Sequence, residues 1–320
     1  MNRIQSFLDG YGPHMGAVLV LSIVAAAYAQ DGPNLRFEAA QAETSATCAT
    51  GAVGLDYIVS VWQPGDSDSP ALDVFSKSGV LLQRVPLSSL FEDSTAFGPA
   101  VLFDTHRQRF VLAAHGYRSS LAGVSTLALA VSRTANPLEG WHSFAITHPG
   151  HLTGIKLGFN RHWYAITAYD AYAPLAPGRP HLYVFDSGAA ANGAVKVTAF
   201  DLTRELGVLE YFDPFAAPAA TYDASDRLYI AGTHTNDTGS GSTGLLRMAR
   251  IEGTVADPVF VSAPLFPTGP AWARLASAFP NTVPNAPQPQ GVTAVEAIQG
   301  PAGAWTDSVS TASYRTGSLW

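Results

Sequence analysis

From Val53 onward the chain is built of short apolar runs of five to seven residues, separated by turns rich in Gly, Pro, Asp, Asn and Ser. Runs of this length, enriched in Val, Ile, Leu, Phe, Tyr and Thr and bounded by turn formers, predict β-strands. The predicted strands cover 57–62, 71–75, 81–85, 100–103, 109–114, 127–132, 141–146 and 156–159, then 163–168, 181–185, 195–200, 219–222, 227–232, 245–251 and 259–263. Apolar spacing of helical period, sustained over about eleven residues, is nearly absent from this region. Residues 203–209 are the stretch that reads as one short helical turn. An all-β chain of many short strands is a sandwich, a barrel or a propeller.

An internal repeat chooses among these. Residues 100–114 read AVLFDTHRQRFVLAA and residues 220–232 read ATYDASDRLYIAG. A weaker copy, KLGFNRHWYAITA, spans 156–168. Each is a strand, an aromatic followed by Asp or Asn, an Arg, and a second strand ending in small residues. Asp104, Asn160 and Asp223 suit the turn because their side chains bond back to nearby backbone N–H groups. Each hairpin is followed by a second pair of strands, so the unit is four strands in roughly 55–60 residues, the texture of propeller blades. The strands at 57–62, 71–75 and 81–85 start an earlier blade. The fold class expected is therefore an all-β propeller of four-stranded antiparallel blades.

The ends of the chain read differently. Residues 15–29 are an uncharged apolar run ending in Ala27-Tyr28-Ala29. That is short of the ~20 residues a spanning helix needs and ends in the small-x-small pattern of a cleaved signal. Arg3 is offset by Asp9, so the segment before it is barely positive. The reading adopted is signal peptide 1–29, leader 30–52 and propeller domain 53–320, with an uncleaved anchor or a buried core segment as weaker alternatives. Residues 264–301 hold eight prolines and few strand signals. A further strand pair opens at Val309 and stops at Trp320, which reads as a C-terminally incomplete propeller, because an unpaired edge is a liability.

Composition narrows the function classes. The 320 residues carry 18 Lys+Arg against 25 Asp+Glu, a net charge of −7. With no basic run, nucleic-acid binding is not expected. The single cysteine, Cys48, excludes an internal disulfide framework and a Cys-based zinc site. After signal cleavage no membrane association is expected, and the localisation is secreted, periplasmic or cell-surface.

Several stretches, quoted in chain order, carry a family resemblance: AVGLDY (52–57), LDVFSKSG (72–79), VLFD (101–104) with Arg109-Phe110, LAVSRTANPLEGW (129–141), LYVFD (182–186) and SYRTGSLW (313–320). They resemble a loose group of secreted bacterial β-propeller proteins. The resemblance implies export and a propeller but no activity. Members of the group usually carry Asp-Pro where this chain has Gly98-Pro99, and Tyr-Pro-Lys where it has Gly154-Ile155-Lys156. Residues 131–141 also resemble the strand-turn-Trp element of five-bladed glycosidases and a degenerate Asp-box, with Thr134, Asn136 and Trp141 in place and Leu138 where the box has Gly. That resemblance implies a turn staple, not catalysis.

Candidate chemistry starts with carboxylates, since a glycosidase needs two. Asp56, at the head of the first strand, and Asp170, just past the strand at 163–168, are the weak catalytic candidates. Asp73 and Glu210 are further acids to test for convergence, whereas Asp104, Asp186 and Asp223 read as turn residues. His148-Pro-Gly-His151 has the spacing H-x-x-H, but Pro-Gly makes it a turn and no carboxylate lies within four residues, so no metal site is expected. His115 and His234 follow equivalent hairpins. They join Trp62, Tyr117, Tyr169 and Tyr172 as candidate ligand-binding residues, because aromatic faces stack on sugar rings and hold peptides. Trp141 and Trp163 read as packing residues. The Gly/Ser loop at Asp237 lacks the ending of a phosphate loop, and its one carboxylate is too few to argue calcium, so no cofactor is expected and calcium stays open. The leading expectation is an exported binding or cell-surface interaction module for an extracellular glycan or protein ligand. A carbohydrate-active hydrolase with paired carboxylates, or a structural segment of a larger surface protein, are the alternatives.

Overall fold

In the computed structural model the contacts divide the chain into Met1–Glu38 and Ala39–Trp320, and the described residues all belong to the second unit. They are 46–64, 70–91, 96–119, 123–170, 179–202, 217–236, 243–267, 312–315 and 318–319. The signal segment, the helical turn expected at 203–209 and the proline-rich stretch 268–301 lie outside them.

The strands form consecutive antiparallel meanders. Sheet 1 is β1 (Ala46–Val53), β2 (Tyr57–Pro64), β3 (Ala71–Ser76) and β4 (Leu81–Pro86). Sheet 2 is β5 (Ala96–Asp104), β6 (Arg109–Ser119), β7 (Val124–Ser132) and β8 (Trp141–Pro149). Sheet 3 is β9 (Leu152–Phe159), β10 (Trp163–Asp170), β11 (Arg179–Asp186) and β12 (Val197–Asp201). Sheet 4 is β13 (Ala217–Thr221), β14 (Leu228–Asn236), β15 (Thr243–Thr254) and β16 (Asp257–Pro267). The strands β17 (Ala312–Arg315) and β18 (Ser318–Leu319) form one further pair.

The first strand of each sheet lies beside the first strand of the next. The Val101 backbone N–H of β5 donates to Thr50 Oγ1 of β1 at 3.1 Å. A single parallel bridge, Phe159 to Ala220, joins β9 to β13, and β17 runs parallel to β13 through Ala219–Ala312 and its neighbours. Four-stranded meanders arrayed on their first strands are propeller blades. The repeated hairpins at Asp104 and Asp223 therefore stand in separate blades, as the sequence predicts.

One boundary changes. The leader expected through residue 52 already contains β1, which pairs with β2 from Ala46–Pro64 to Val53–Ile58. Its sequence, ATCATGAV, is small and weakly apolar, so it lacks the bulky β-branched signal that betrayed the other strands. Two helices of five residues, α1 (Leu87–Phe91) and α2 (Ser187–Ala191), are too short for periodicity to reveal.

Apolar residues fill the spaces between sheets. Phe110, Leu112 and Ala114 of β6 pack toward sheet 1, with Val59, Val61, Leu72 and Val74. Val111 and Ala113 of the same strand pack toward sheet 3, with Leu157, Phe159 and Ile166. Trp163, Ala165 and Leu182 of sheet 3 pack in turn against Leu228 and Ile230 of sheet 4. A strand sandwiched between two sheets is buried on both faces, which is why these segments read as unbroken apolar runs rather than alternating ones. By contrast β4, an outer strand, is almost wholly exposed.

The close approach of the first strands gives a sharp expectation. A Cβ built on Gly158 of β9 would sit 2.4 Å from the Pro218 carbonyl oxygen of β13, a backbone atom that cannot swing away. Gly158→Ala should lower unfolding free energy by about 1–3 kcal/mol, the usual cost of overpacking. Urea denaturation of the variant checks this; an unchanged midpoint would mean that β9 and β13 do not touch.

Candidate functional site

The repeated hairpin turns use one device. Asp104 Oδ1 accepts from the backbone N–H groups of His106 (2.8 Å) and Arg107 (3.2 Å). Asn160 Oδ1 accepts from His162 and Trp163, both at 2.9 Å, and Asp223 Oδ1 accepts from Ser225 at 3.0 Å. These turns cap the ends of the first strands. Asp186 likewise accepts from the Ala189 N–H at 2.9 Å and starts α2. In Asp104, Asp186 and Asp223 the Oδ1 oxygen is committed to backbone. The Asp-box-like segment is also a staple: Asn136 Oδ1 accepts from the Leu138 N–H at 3.0 Å, and Trp141 packs on the core between sheets 1 and 2.

The two catalytic candidates lie at opposite ends of their sheets. Asp56 is exposed in the β1–β2 turn, at the end that carries the Asp104 and Asn160 turns. Asp170 is the last residue of β10, at the far end. Asp73 is buried on the face of sheet 1 turned away from sheet 2. There its carboxylate accepts from Arg84 Nε (2.7 Å), Arg84 Nη2 (2.8 Å) and Trp62 Nε1 (3.1 Å). Glu210 lies outside the described residues. Among the described members of this set, no two acids face one another across a cleft.

Two of the aromatic and histidine candidates, Trp62 and His115, are packed by neighbouring side chains. Trp62 is fixed by Asp73 beneath the Arg84 guanidinium, 5.2 Å from its ring centroid. His115 is buried against Phe97 and beside Gly98, and burial pushes its pKa down to about 4, so it is neutral at pH 7. Tyr169 is half-buried near the end of β10, on the face toward sheet 4. Tyr117 and His234 stand near the ends of β6 and β14; Tyr172 is outside the described residues. Trp62, His115, Tyr117, Tyr169 and His234 thus sit near the C-terminal ends of the second strands of four successive sheets.

Asp170 and His148, considered separately in the sequence, meet His181 in a cluster at this same end, between sheets 2 and 3. His148 comes from β8, Asp170 from β10 and His181 from β11, and their ligand atoms all lie within 4.8 Å of one another. Strand alternation explains the grouping. Ser125 pairs with His148 on sheet 2, Ala168 pairs with His181 on sheet 3, and Asp170 stands two residues past Ala168 on the same face. Tyr183, also on this face, is hydrogen-bonded through its hydroxyl to His148 Nδ1 at 2.7 Å. The His151 backbone N–H donates to Asp170 Oδ1 at 2.8 Å and fixes the carboxylate. The other oxygen, Oδ2, lies 3.6 Å from His148 Nε2, too far for a hydrogen bond. Burial holds the pKa of His148 below the ordinary histidine value; burial and then the neighbouring His148 do the same for His181. Burial, reinforced by Asp170, raises that of Tyr183.

The H-x-x-H segment, read from the sequence as a turn with no metal site, contributes one residue to this cluster. His148 takes part, but His151 contributes its backbone N–H rather than its ring. The carboxylate sought within four residues comes instead from Asp170, 19 residues beyond His151. The signal available in the sequence was strand parity across the predicted strands 163–168 and 181–185.

No protein-family model matches the chain, and no curated protein matches its sequence. Among solved structures the chain is similar to a xylan β-1,4-xylosidase from Bacillus halodurans, at 10% identity and a TM-score of 0.39. That match covers 70% of this chain and 43% of the other, so this chain spans less than half its length. It is also similar to the catalytic domain of a Coprinopsis cinerea GH62 α-L-arabinofuranosidase, at 10% identity and a TM-score of 0.38, covering 74% of this chain and 72% of that one. A Podospora anserina α-L-arabinofuranosidase matches at 10% identity and a TM-score of 0.38, covering 76% and 74%. The structural neighbours are glycoside hydrolases, but likeness at this level assigns neither family nor reaction.

Proposed function

We propose that this chain is an exported propeller that binds an extracellular ligand, a glycan or a protein segment, without hydrolysing it. The observation that carries this reading is the placement of the connections between second and third strands. After β2, β6, β10 and β14 they leave the sheets at one common end. Loops gathered at one end of a rigid scaffold are the usual site of binding. Trp62, His115, Tyr117, Tyr169 and His234 stand toward the ends of the strands from which those connections leave. The apolar run at 15–29 supports export. Among the described residues no helix is long and apolar enough to cross a membrane.

The hydrolase alternative needs two carboxylates roughly 5–10 Å apart. Asp56 and Asp170 stand at opposite ends and Asp73 is paired with Arg84, so these three candidates supply no such pair, which supports the binding reading. A glycan array probed with the exported chain, run beside a reducing-sugar release assay on the retained glycans, tests the proposal. Retention without release is expected, together with roughly tenfold weaker retention by Tyr169→Ala, a loss of about 1.4 kcal/mol. Sugar release would overturn the binding reading in favour of hydrolysis.

A further inference from the structure

We propose that His148, Asp170 and His181 form a divalent transition-metal site, with zinc as the fitting ion, that ties sheet 2 to sheet 3. This inference is independent of the binding reading, since it needs neither a loop residue nor a ligand.

Three observations carry it. The first is donor chemistry. Two imidazoles and one carboxylate are a borderline donor set suited to zinc and its neighbours rather than to calcium or magnesium, which take oxygen ligands. The second is spacing. Tetrahedral ligands at about 2.0–2.1 Å from zinc lie about 3.4 Å from one another. His148 Nε2 and Asp170 Oδ2 are already 3.6 Å apart, and the whole set lies within 4.8 Å. The adjustment left is about an ångström in His181, a half-buried side chain at the start of β11.

The third observation is an unmet acceptor. The His148 side chain is only 9% exposed, and its buried Nε2 has no hydrogen-bond partner. A buried polar atom left unpaired is costly and calls for an explanation. The same nitrogen is aimed at Asp170 Oδ2. On the far side of the ring, Nδ1 is bonded to the Tyr183 hydroxyl at 2.7 Å. With the proton on Nδ1 donated to Tyr183, the Nε2 lone pair points into the gap. The Asp170 carboxylate is also held from outside: Oδ1 accepts from the His151 N–H, and Oδ2 lies 3.6 Å from His148 Nε2. Outer partners that orient the ligating side chains are a hallmark of metal ligands.

The arrangement also says what the ion would do. His148 belongs to the outermost strand of sheet 2, and Asp170 and His181 belong to sheet 3. An ion held by all three crosses the interface at the end where the apolar core gives way to polar residues. Three protein ligands leave one position for water or another donor.

The test uses the whole exported chain without an affinity tag, stripped of metal by a chelator and then titrated with zinc alone. One zinc per chain is expected by elemental analysis. At zinc a hundredfold above Kd, Tm should rise by about 5–10 °C. Cobalt in its place should give the visible absorption of a four- or five-coordinate ion. Asp170→Asn keeps the acceptor for the His151 N–H, and His181→Gln alters a half-buried side chain, so both should retain the metal-free Tm while losing the zinc-induced rise and the cobalt bands. His162→Gln, at the opposite end of β10, should keep both. An absent rise, or a rise that survives both His181→Gln and Asp170→Asn, overturns the site.

Discussion

Asp104→Ala is expected to lower the unfolding free energy by about 3–5 kcal/mol, the range seen when one member of a buried charged network is removed. Asp104 is fully buried, and each oxygen has separate duties. Oδ1 closes the β5–β6 turn onto two backbone N–H groups. Oδ2 accepts the Tyr164 hydroxyl of sheet 3 at 2.9 Å, with Arg107 Nη1 at 3.8 Å. The truncation strands two turn donors, the buried Tyr164 hydroxyl and the partner of a half-buried guanidinium. It also frees Arg107 from the position in which it donates to the Arg161 carbonyl at 2.7 Å, across the same sheet boundary. Asp104→Asn keeps the turn acceptor and should cost less, and Tyr164→Phe should cost about 1–3 kcal/mol. Denaturant unfolding of the two single variants and the double variant measures the coupling between turn and neighbouring sheet. A loss under about 1 kcal/mol for Asp104→Ala would show that the turn residue does not bind the sheets together.

Acid should destabilise the protein through His115. Its native pKa lies near 4, against an ordinary value of 6.5, because burial disfavours the imidazolium. The unfolded chain therefore takes up a proton that the native chain refuses. Above pH 6.5 neither state is protonated and the group contributes nothing to the pH dependence. As pH falls from 6.5 toward 4 the unfolded state gains, and stability declines by up to about 3 kcal/mol before levelling off. The burial has a local cause. Gly98 adopts φ +54°, and a Cβ there would meet the His115 ring at 2.9 Å. The bulge of β5 between Phe97 and Ala100 thus brings backbone directly onto the imidazole. His115→Gln, which cannot ionise, should flatten the acid limb of a plot of unfolding free energy against pH. An equally steep limb in the variant would assign the acid sensitivity to other groups.

A side chain at position 98 would collide with His115, since a Cβ there would lie 2.9 Å from its ring. Gly98 and His115 are a matched pair, and no reading of either residue alone reveals it.

Legibility followed how local the physics was. The blade pattern was visible because sheets buried on both faces need unbroken apolar runs, and because each turn at Asp104, Asn160 and Asp223 is capped by its own side chain. β1 escaped notice because its small residues, ATCATGAV, carry little strand signal. For the candidate site, the aromatic and histidine positions at the ends of the second strands could be picked out, since they recur at matching points of the repeat. Whether each was free or held could not. Trp62 is fixed by Asp73 and Arg84, one and two strands away, and His115 by a bulge on β5.

By itself, then, the amino-acid order determined the strands, their turns and their grouping in fours, because hydrogen bonding to the nearest strand and burial of alternate faces act over a few residues. Only the tertiary structure decided which polar groups meet. His148 finds Asp170 and His181 because two sheets stack with matching faces, a relation between segments that no spacing along the chain encodes.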